Sequence, residues 1–598
     1  MSVKFKTNWD LSKLYHSEND PQIENDILES EDRIKQFVEK WKSNDKYLTD
    51  PIQLKQALDE YEEILRESGM EGKAAGYYLH LRLALNKNDK EIKAKTNKLH
   101  ERSIKLLNSI RFFTHRLSKI SEDTQKTFLN ADILKEYKYL LEKIFLDGKY
   151  LLSEDEEKIL TLKHKTSKTN WTEMVNSILT KQEREVLTEE GTREFKGISD
   201  LGNLLESKND MVRNEAETAL NSIYESWLDV AEAEMNNIVE NKKVDDELRG
   251  FQRPDQARHI DDEIDSEVVD AMINAVAQRY SISQRFYKLK AKLLGKEKLK
   301  YSERNLHIGE VNSDYTYDQS AELVLNVFSK LDKEFVEISE RLFDGYVDVY
   351  PSNGKEIGAF CTYNLKNHPI FVLLNFTGKL RDVSTLAHEF GHAIHFEMSK
   401  VQNSLNSGAT TATAEVASTF MEDFVFDEIL QDRSDEEKLS LIMDKLNDQI
   451  STIQRQVACY KFEQELHKTI REKGYVSKEE IGKIFEKNMT DYLGDYVEFD
   501  EGTRNWWVGW SHIRKFFYVY SYASGLLISK GLQKIVKENN NNIEKVKLFF
   551  RTGISKSTKD IFMDAGLDIS NPEFWFKGLD EIEELVSQAE ELANNLGY

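Results

Sequence analysis

His388 and His392 stand four residues apart, and Glu389 follows the first of them directly, an H-E-x-x-H box. Residues four apart on a helix point from one face, so the two imidazoles can grip a single ion. Imidazole nitrogen suits zinc. A carboxylate one position on from His388 is angled away from ligation but close enough to take a proton from a water that the metal acidifies. That combination attacks carbonyl carbon. With 13 histidines in 598 residues, chance supplies about 0.03 such boxes in a chain of this length. The competing reading, two incidental histidines on an ordinary helix, is set back by context, because the box follows a strand-like run.

Catalytic zinc usually takes three protein ligands and keeps a fourth position open. A metzincin would carry another histidine at position 398, where this chain has Met398. His395 belongs to the same stretch of helix and can hardly close around the ion from another side, so packing or solvation is its expected role. Glu415, 23 residues past His392, is the better candidate; it opens a segment with helical spacing at Val416, Phe420 and Phe424. Glu422 falls on the same face and is placed to receive the second ring N–H of a ligand histidine, a bond that fixes the tautomer. The alternative for Glu422 is an ordinary surface acid. Between the two helices, residues 407–413 are small and suit a mobile loop beside the site.

Ahead of the box helix the texture changes. Residues 346–350 alternate, 351–354 read as a turn, and 358–363 and 369–376 read as two further strands. A small antiparallel sheet is expected there. Its edge can bind an extended peptide through main-chain hydrogen bonds, or the hairpin simply props the helix that follows.

The rest of the chain is helical in pattern. Six prolines and 27 glycines are few for 598 residues, and these are the residues that break helices. Stripes such as Leu54, Leu58, Tyr61 and Leu65, or Tyr77, Tyr78, Leu81 and Leu85, space as buried helix faces; core packing is the simpler reading of their aromatic rings than a ligand groove. A length of this order implies more than one lobe, with a break expected near residue 205. An N-terminal helical lobe, residues 1–205, then precedes a catalytic region, residues 206–598.

Lys and Arg number 82 against 106 Asp and Glu, a net charge of −24, which repels phosphate backbones and argues against nucleic acid as a partner. Cys361 and Cys459 form no C-x-x-C pattern and support neither a disulfide framework nor a thiolate zinc site. No run approaches the roughly 18 apolar residues of a membrane span, and the first residues do not read as a signal peptide. A soluble, cytoplasmic protein with no membrane partner is expected. Whether it is a monomer or a homo-oligomer is open.

The stretch from Gly358 through Glu422 resembles the thimet oligopeptidase and oligoendopeptidase F family of zinc peptidases, and its oligoendopeptidase F branch most of all. The similar features are Gly358-Ala-Phe-Cys361, the run from Phe371 to Gly378, the His-Glu-Phe-Gly-His box and Glu415-Val-Ala-Ser418. The resemblance implies one Zn2+ per chain bound by His388, His392 and Glu415, with Glu389 as general base. It also implies a mainly α fold, a two-lobed helical ellipsoid around a deep channel that limits substrates to short oligopeptides. Gly358, Ala359 and Phe360 are then the expected substrate-binding strand.

A second similar segment runs from Trp510 to Gly525. In enzymes it resembles, a histidine and tyrosines here face the zinc across the channel. A tyrosine hydroxyl, with an ordinary pKa of about 10, can donate to the oxyanion formed by attack on a carbonyl. His512 and Tyr518 are assigned to that contact, and Tyr522, four residues from Tyr518 and expected on the same helical face, to substrate binding. Tyr520 and the Trp506–Trp507 pair are expected in the core. The spacing of His512 from the tyrosines differs by about one or two residues from some relatives, which leaves the separate tyrosine roles open.

The expected activity is hydrolysis of internal bonds in short peptides. One rival is a zinc carboxypeptidase or dipeptidase of similar build, which needs a group that captures a chain end; no such group stands out in the sequence. The other is a non-catalytic helical peptide-binding protein, against which Glu389 argues, since a purely structural metal site has no use for a base.

Overall fold

A computed structural model describes residues 4–309, 311, 314–410 and 412–598. The chain is 70% helical, so its sheets are local devices and the fold is mainly α. Three of the six prolines begin helices: Pro21, Pro51 and Pro572 each sit in a first turn, behind Asp20, Asp50 and Asn571 whose side chains accept from backbone N–H groups. Proline suits that position because its missing N–H would have no intrahelical partner.

The helical stripes pack inward. Leu54 and Leu58, Tyr77, Tyr78 and Leu81, and Leu141, Ile144 and Phe145 are all buried. They divide between two clusters, one drawn from residues 34–145 and one in which Trp9, Tyr77 and Tyr78 meet Phe371 and Leu373. A third and far larger cluster starts at Val175 and extends to Ala593. No helix among the described residues is long and apolar enough to cross a membrane.

The strands are short. β1 (Glu183–Leu187) and β2 (Arg193–Gly197) form an antiparallel hairpin inside a stretch that reads as helix after helix in sequence. The turn around Gly191, at a φ of 75°, was the signal for it. β3 (Leu299–Lys300) pairs in parallel with a strand at Val497–Glu498.

Next to the box helix lies a three-stranded sheet of β4 (Val347–Asp348), β5 (Phe360–Thr362) and β6 (Phe371–Leu373), in the order β4-β6-β5. β5 and β6 are antiparallel, as expected. β4 is not: it runs parallel to β6. The reason is topological, because the chain passes from β4 around to the far edge and returns through the centre. β5 is therefore an edge strand. Trp9 braces the central strand from below, its indole N–H donating to the Val372 carbonyl at 2.8 Å.

From β6 the chain enters the helix Leu380–Ser399, which carries the box, then crosses to the helix Val416–Gln431. The crossing is close because of one residue. A β-carbon on Gly391 would lie 2.6 Å from both the Ala417 carbonyl oxygen and the Ser418 Cα. Only glycine lets the two backbones approach so far.

Candidate active site

The close crossing brings the start of the second helix under the box. Glu415 occupies the position just before that helix, and its Oε2 lies 3.3 Å from His388 Nε2 and 3.4 Å from His392 Nε2. One ligand atom from each of the three residues falls within 4.8 Å of the other two, and among the described residues no other set of His, Cys, Asp and Glu does so. Two imidazole nitrogens and a carboxylate oxygen form a donor set that fits a divalent transition metal, with three ligands leaving a position open.

The rings are aimed from behind. His388 Nδ1 stands 3.2 Å from Glu422 Oε2, which holds a proton on Nδ1 and aims Nε2 toward Glu415. Lys445 donates to the other oxygen of Glu422 at 2.7 Å and pairs with Asp423 at 2.7 Å. Lys530 pairs with Asp423 from the opposite side, also at 2.7 Å. Sequence spacing could not reveal Asp423, Lys445 and Lys530, because their link depends on which helices pack together.

The charges follow the geometry. Burial works against a charge on His388, but the carboxylates of Glu415 and Glu422 outweigh it and raise the imidazole to about 10. Burial likewise opposes a charge on Glu415, and its two histidine partners overcome that and hold it well below the usual carboxylate range. Such a set shares protons where a divalent cation would displace them. Glu389 differs. It is only 6% exposed, burial lifts its pKa, and the facing imidazoles and the Cys361 backbone only partly offset the rise. A carboxylate so placed is a stronger base than an exposed one.

His388 and Glu389 open onto a cavity of about 1080 Å³, whose walls also include Gly358, Ala359, Glu422 and Lys445. Asn375 ties down the approach to β5 by donating to the carbonyls of Glu356 and Gly358 at 2.9 and 2.6 Å. Phe360 is not part of this lining; its ring lies 6.4 Å from Trp9 and 6.2 Å from His80. Its backbone faces Leu373 in the β5–β6 ladder. His395 is packed, as expected, with its ring 5.3 and 5.0 Å from Phe549 and Phe550, and burial pushes its pKa down to about 3. Of the connecting segment 407–413, Thr411 lies outside the described residues.

A third piece of chain meets Glu415 from the far side. A β-carbon on Gly525 would touch that of Glu415 at 3.3 Å, and the Ser524 hydroxyl donates to the Ala412 carbonyl at 3.3 Å. His512, Tyr518 and Tyr522 cluster just upstream. The rings of His512 and Tyr518 lie 6.3 Å apart and nearly parallel, those of Tyr518 and Tyr522 5.4 Å apart and edge-on, and the Tyr522 hydroxyl is 3.3 Å from His512 Nε2. Burial, then Lys515 and Arg455, lower the His512 pKa and so favour its neutral imidazole. Burial, Tyr518 and Glu415 raise that of Tyr522.

One expectation fails here. Tyr518 and Tyr522 do not share a helix, because the helix begins at Tyr520, after Phe516 and Phe517 have both taken positive φ. Tyr520 is buried and donates to Asp262 at 2.8 Å, Trp507 is wholly buried, and the Trp506 indole donates to Asn221 at 2.7 Å.

The chain is matched over residues 203–581 by the model described as Peptidase family M3, and over residues 116–181 by one described as Oligopeptidase F. An oligoendopeptidase F homolog from Borreliella burgdorferi is 26% identical to it over 576 residues, 94% of either chain. Among solved structures, a putative peptidase from Chlamydophila abortus superposes with a TM-score of 0.89 at 22% identity, covering 98% of both chains. An oligoendopeptidase-F from Enterococcus faecium superposes at 0.69 and 19% identity, over 96% of this chain and 99% of its own. These two structural likenesses speak for the fold.

Proposed function

The chain belongs to peptidase family M3 and is an oligopeptide-hydrolysing metallopeptidase; from that footing we propose that it is a zinc-dependent endopeptidase that cuts internal bonds of short peptides. One observation carries the reading: the convergence of His388, His392 and Glu415 within 4.8 Å, beside the buried carboxyl of Glu389 on the wall of a cavity. His388, His392 and Glu415 hold the ion, one per chain, and Glu422 orients His388. Bound zinc supplies a Lewis acid that polarises the scissile carbonyl and acidifies a water.

The chain's own groups do the rest. Glu389 takes the proton of the attacking water and passes it to the leaving amine. Tyr518 and His512 donate hydrogen bonds to the oxygen that gains charge, a role that needs neutral donors held in advance. The downward shift of the His512 pKa supports this, since a neutral ring still carries one N–H. Tyr522 and the edge segment Gly358, Ala359 and Phe360 hold the substrate, the segment as a neighbour for an extended peptide. Residues 1–205, helical apart from the β1–β2 hairpin, form the lobe that restricts access to short peptides.

The test is a peptide of about ten residues, acetylated at one end and amidated at the other. Mass spectrometry should show cleavage at an internal bond, abolished by chelation and restored by zinc. Stepwise loss of terminal residues, or cleavage that survives complete removal of metal, would overturn the reading.

A further inference from the structure

Phe516 and Phe517, the two residues before Tyr518, have φ of 52° and 56°. A side chain with a β-carbon rarely adopts that region, and for bulky residues it persists only where the surroundings impose it. Two in succession mark a corner forced by its neighbours.

Three contacts impose it. The Phe517 N–H donates to Glu463 Oε2 at 2.7 Å. Arg258 donates from Nη2 to the Lys515 carbonyl at 3.2 Å and from Nε to the Phe516 carbonyl at 3.4 Å. The Phe517 ring wedges between His467 and Tyr460, with centroids 4.7 and 5.5 Å away. Beyond the corner the chain is pinned again, since Tyr520 donates to Asp262 and Asp262 lies 3.5 Å from Arg258. Tyr518 is the half-exposed residue between these two anchors.

Glu463 is an unusual residue to find in this place. It belongs to the helix Gln454–Lys473, is completely buried, and its Oε1 has no hydrogen-bond partner. Burial raises its pKa to about 8, so it is a neutral acid at pH 7. A hydrophobic side chain would pack there more cheaply. What such a side chain cannot do is accept the Phe517 N–H.

We propose that Glu463, together with Arg258, is a positioning residue for peptide hydrolysis: by fixing the Phe516–Phe517 corner it sets where the Tyr518 hydroxyl stands. This rests on the reading of Tyr518 as an oxyanion donor. Neither residue touches the reacting atoms.

The experiment is a double-mutant cycle on the blocked peptide, with zinc content and melting temperature measured for each variant. Tyr518→Phe and Glu463→Leu should each lower kcat by about tenfold or more with KM nearly constant, as loss of a bond made in the transition state requires. The double variant should be no slower than Tyr518→Phe alone, because both changes remove one interaction. Glu463→Gln, which keeps a neutral acceptor, should restore kcat. Should Glu463→Leu fail to fold, Arg258→Gln replaces it in the same cycle with the same expectation. Multiplying losses, or an effect on KM alone, would overturn the proposal and leave the role of Tyr518 intact. Full kcat in Tyr518→Phe would overturn that role and this proposal with it.

Discussion

Gly391 sits against Ala417 so tightly that a single added carbon would come within 2.6 Å of the Ala417 carbonyl oxygen. The glycine of the box is thus a spacer between two helices, and the distance it sets decides whether Glu415 reaches the histidines. Gly391→Ala should push the helices apart, since backbone atoms cannot swing aside. We expect a loss of about 1–3 kcal/mol in stability, read by denaturant unfolding, and weaker zinc binding in a chelator competition. Unchanged affinity would separate the crossing from the site.

Glu422→Ala removes the partner of His388 Nδ1 and leaves Lys445 facing Asp423 alone. Loss of a bond that orients a ligand histidine should weaken zinc binding by about 10–100-fold. Competition with a fluorescent chelator measures it, and an affinity equal to that of the parent would reduce Glu422 to a surface acid.

Glu389→Gln keeps the shape of the side chain but cannot take a proton. Zinc content should stay at one ion per chain while kcat falls by about 10²–10⁴-fold. Elemental analysis alongside steady-state rates checks both halves, and near-normal turnover would remove Glu389 from the reaction.

Glu463 gives stability a pH dependence of known sign. Its pKa is raised from 4.5 to about 8 by burial, so between those values the folded protein keeps a proton that the unfolded chain has released. The unfolded state then binds fewer protons, and stability falls as pH rises through this window. Urea midpoints at pH 5, 6, 7 and 8 should decline across the series from this group, and Glu463→Gln should flatten the decline. An identical slope in the variant would mean that the carboxyl is already ionised at pH 5.

Much of the site is legible in sequence where its logic is local. His388 and His392 meet because four residues make roughly one helical turn, and Glu422 falls beneath His388 because seven make two. Glu415 needed only a second helix returning antiparallel to the first. What a linear reading could not supply was anything decided by packing between distant segments: the parallel pairing of β4 with β6, or the attachment of Lys445 and Lys530 to Asp423. The start of the helix at Tyr520 was hidden for another reason. Positive φ is ordinarily announced by glycine, and here two phenylalanines adopt it under pressure from Glu463 and Arg258.

Asp423 takes its two lysines from different parts of the chain, one 22 residues ahead and the other more than a hundred. A carboxylate buried to this degree is destabilising unless its counterions are present. While the protein is being made, the helices that carry His388 and follow Glu415 leave the ribosome well before Lys530 and the glycine that meets Glu415. Until the closing helices have emerged, Asp423 lacks Lys530 and Glu415 lacks the glycine against which it packs.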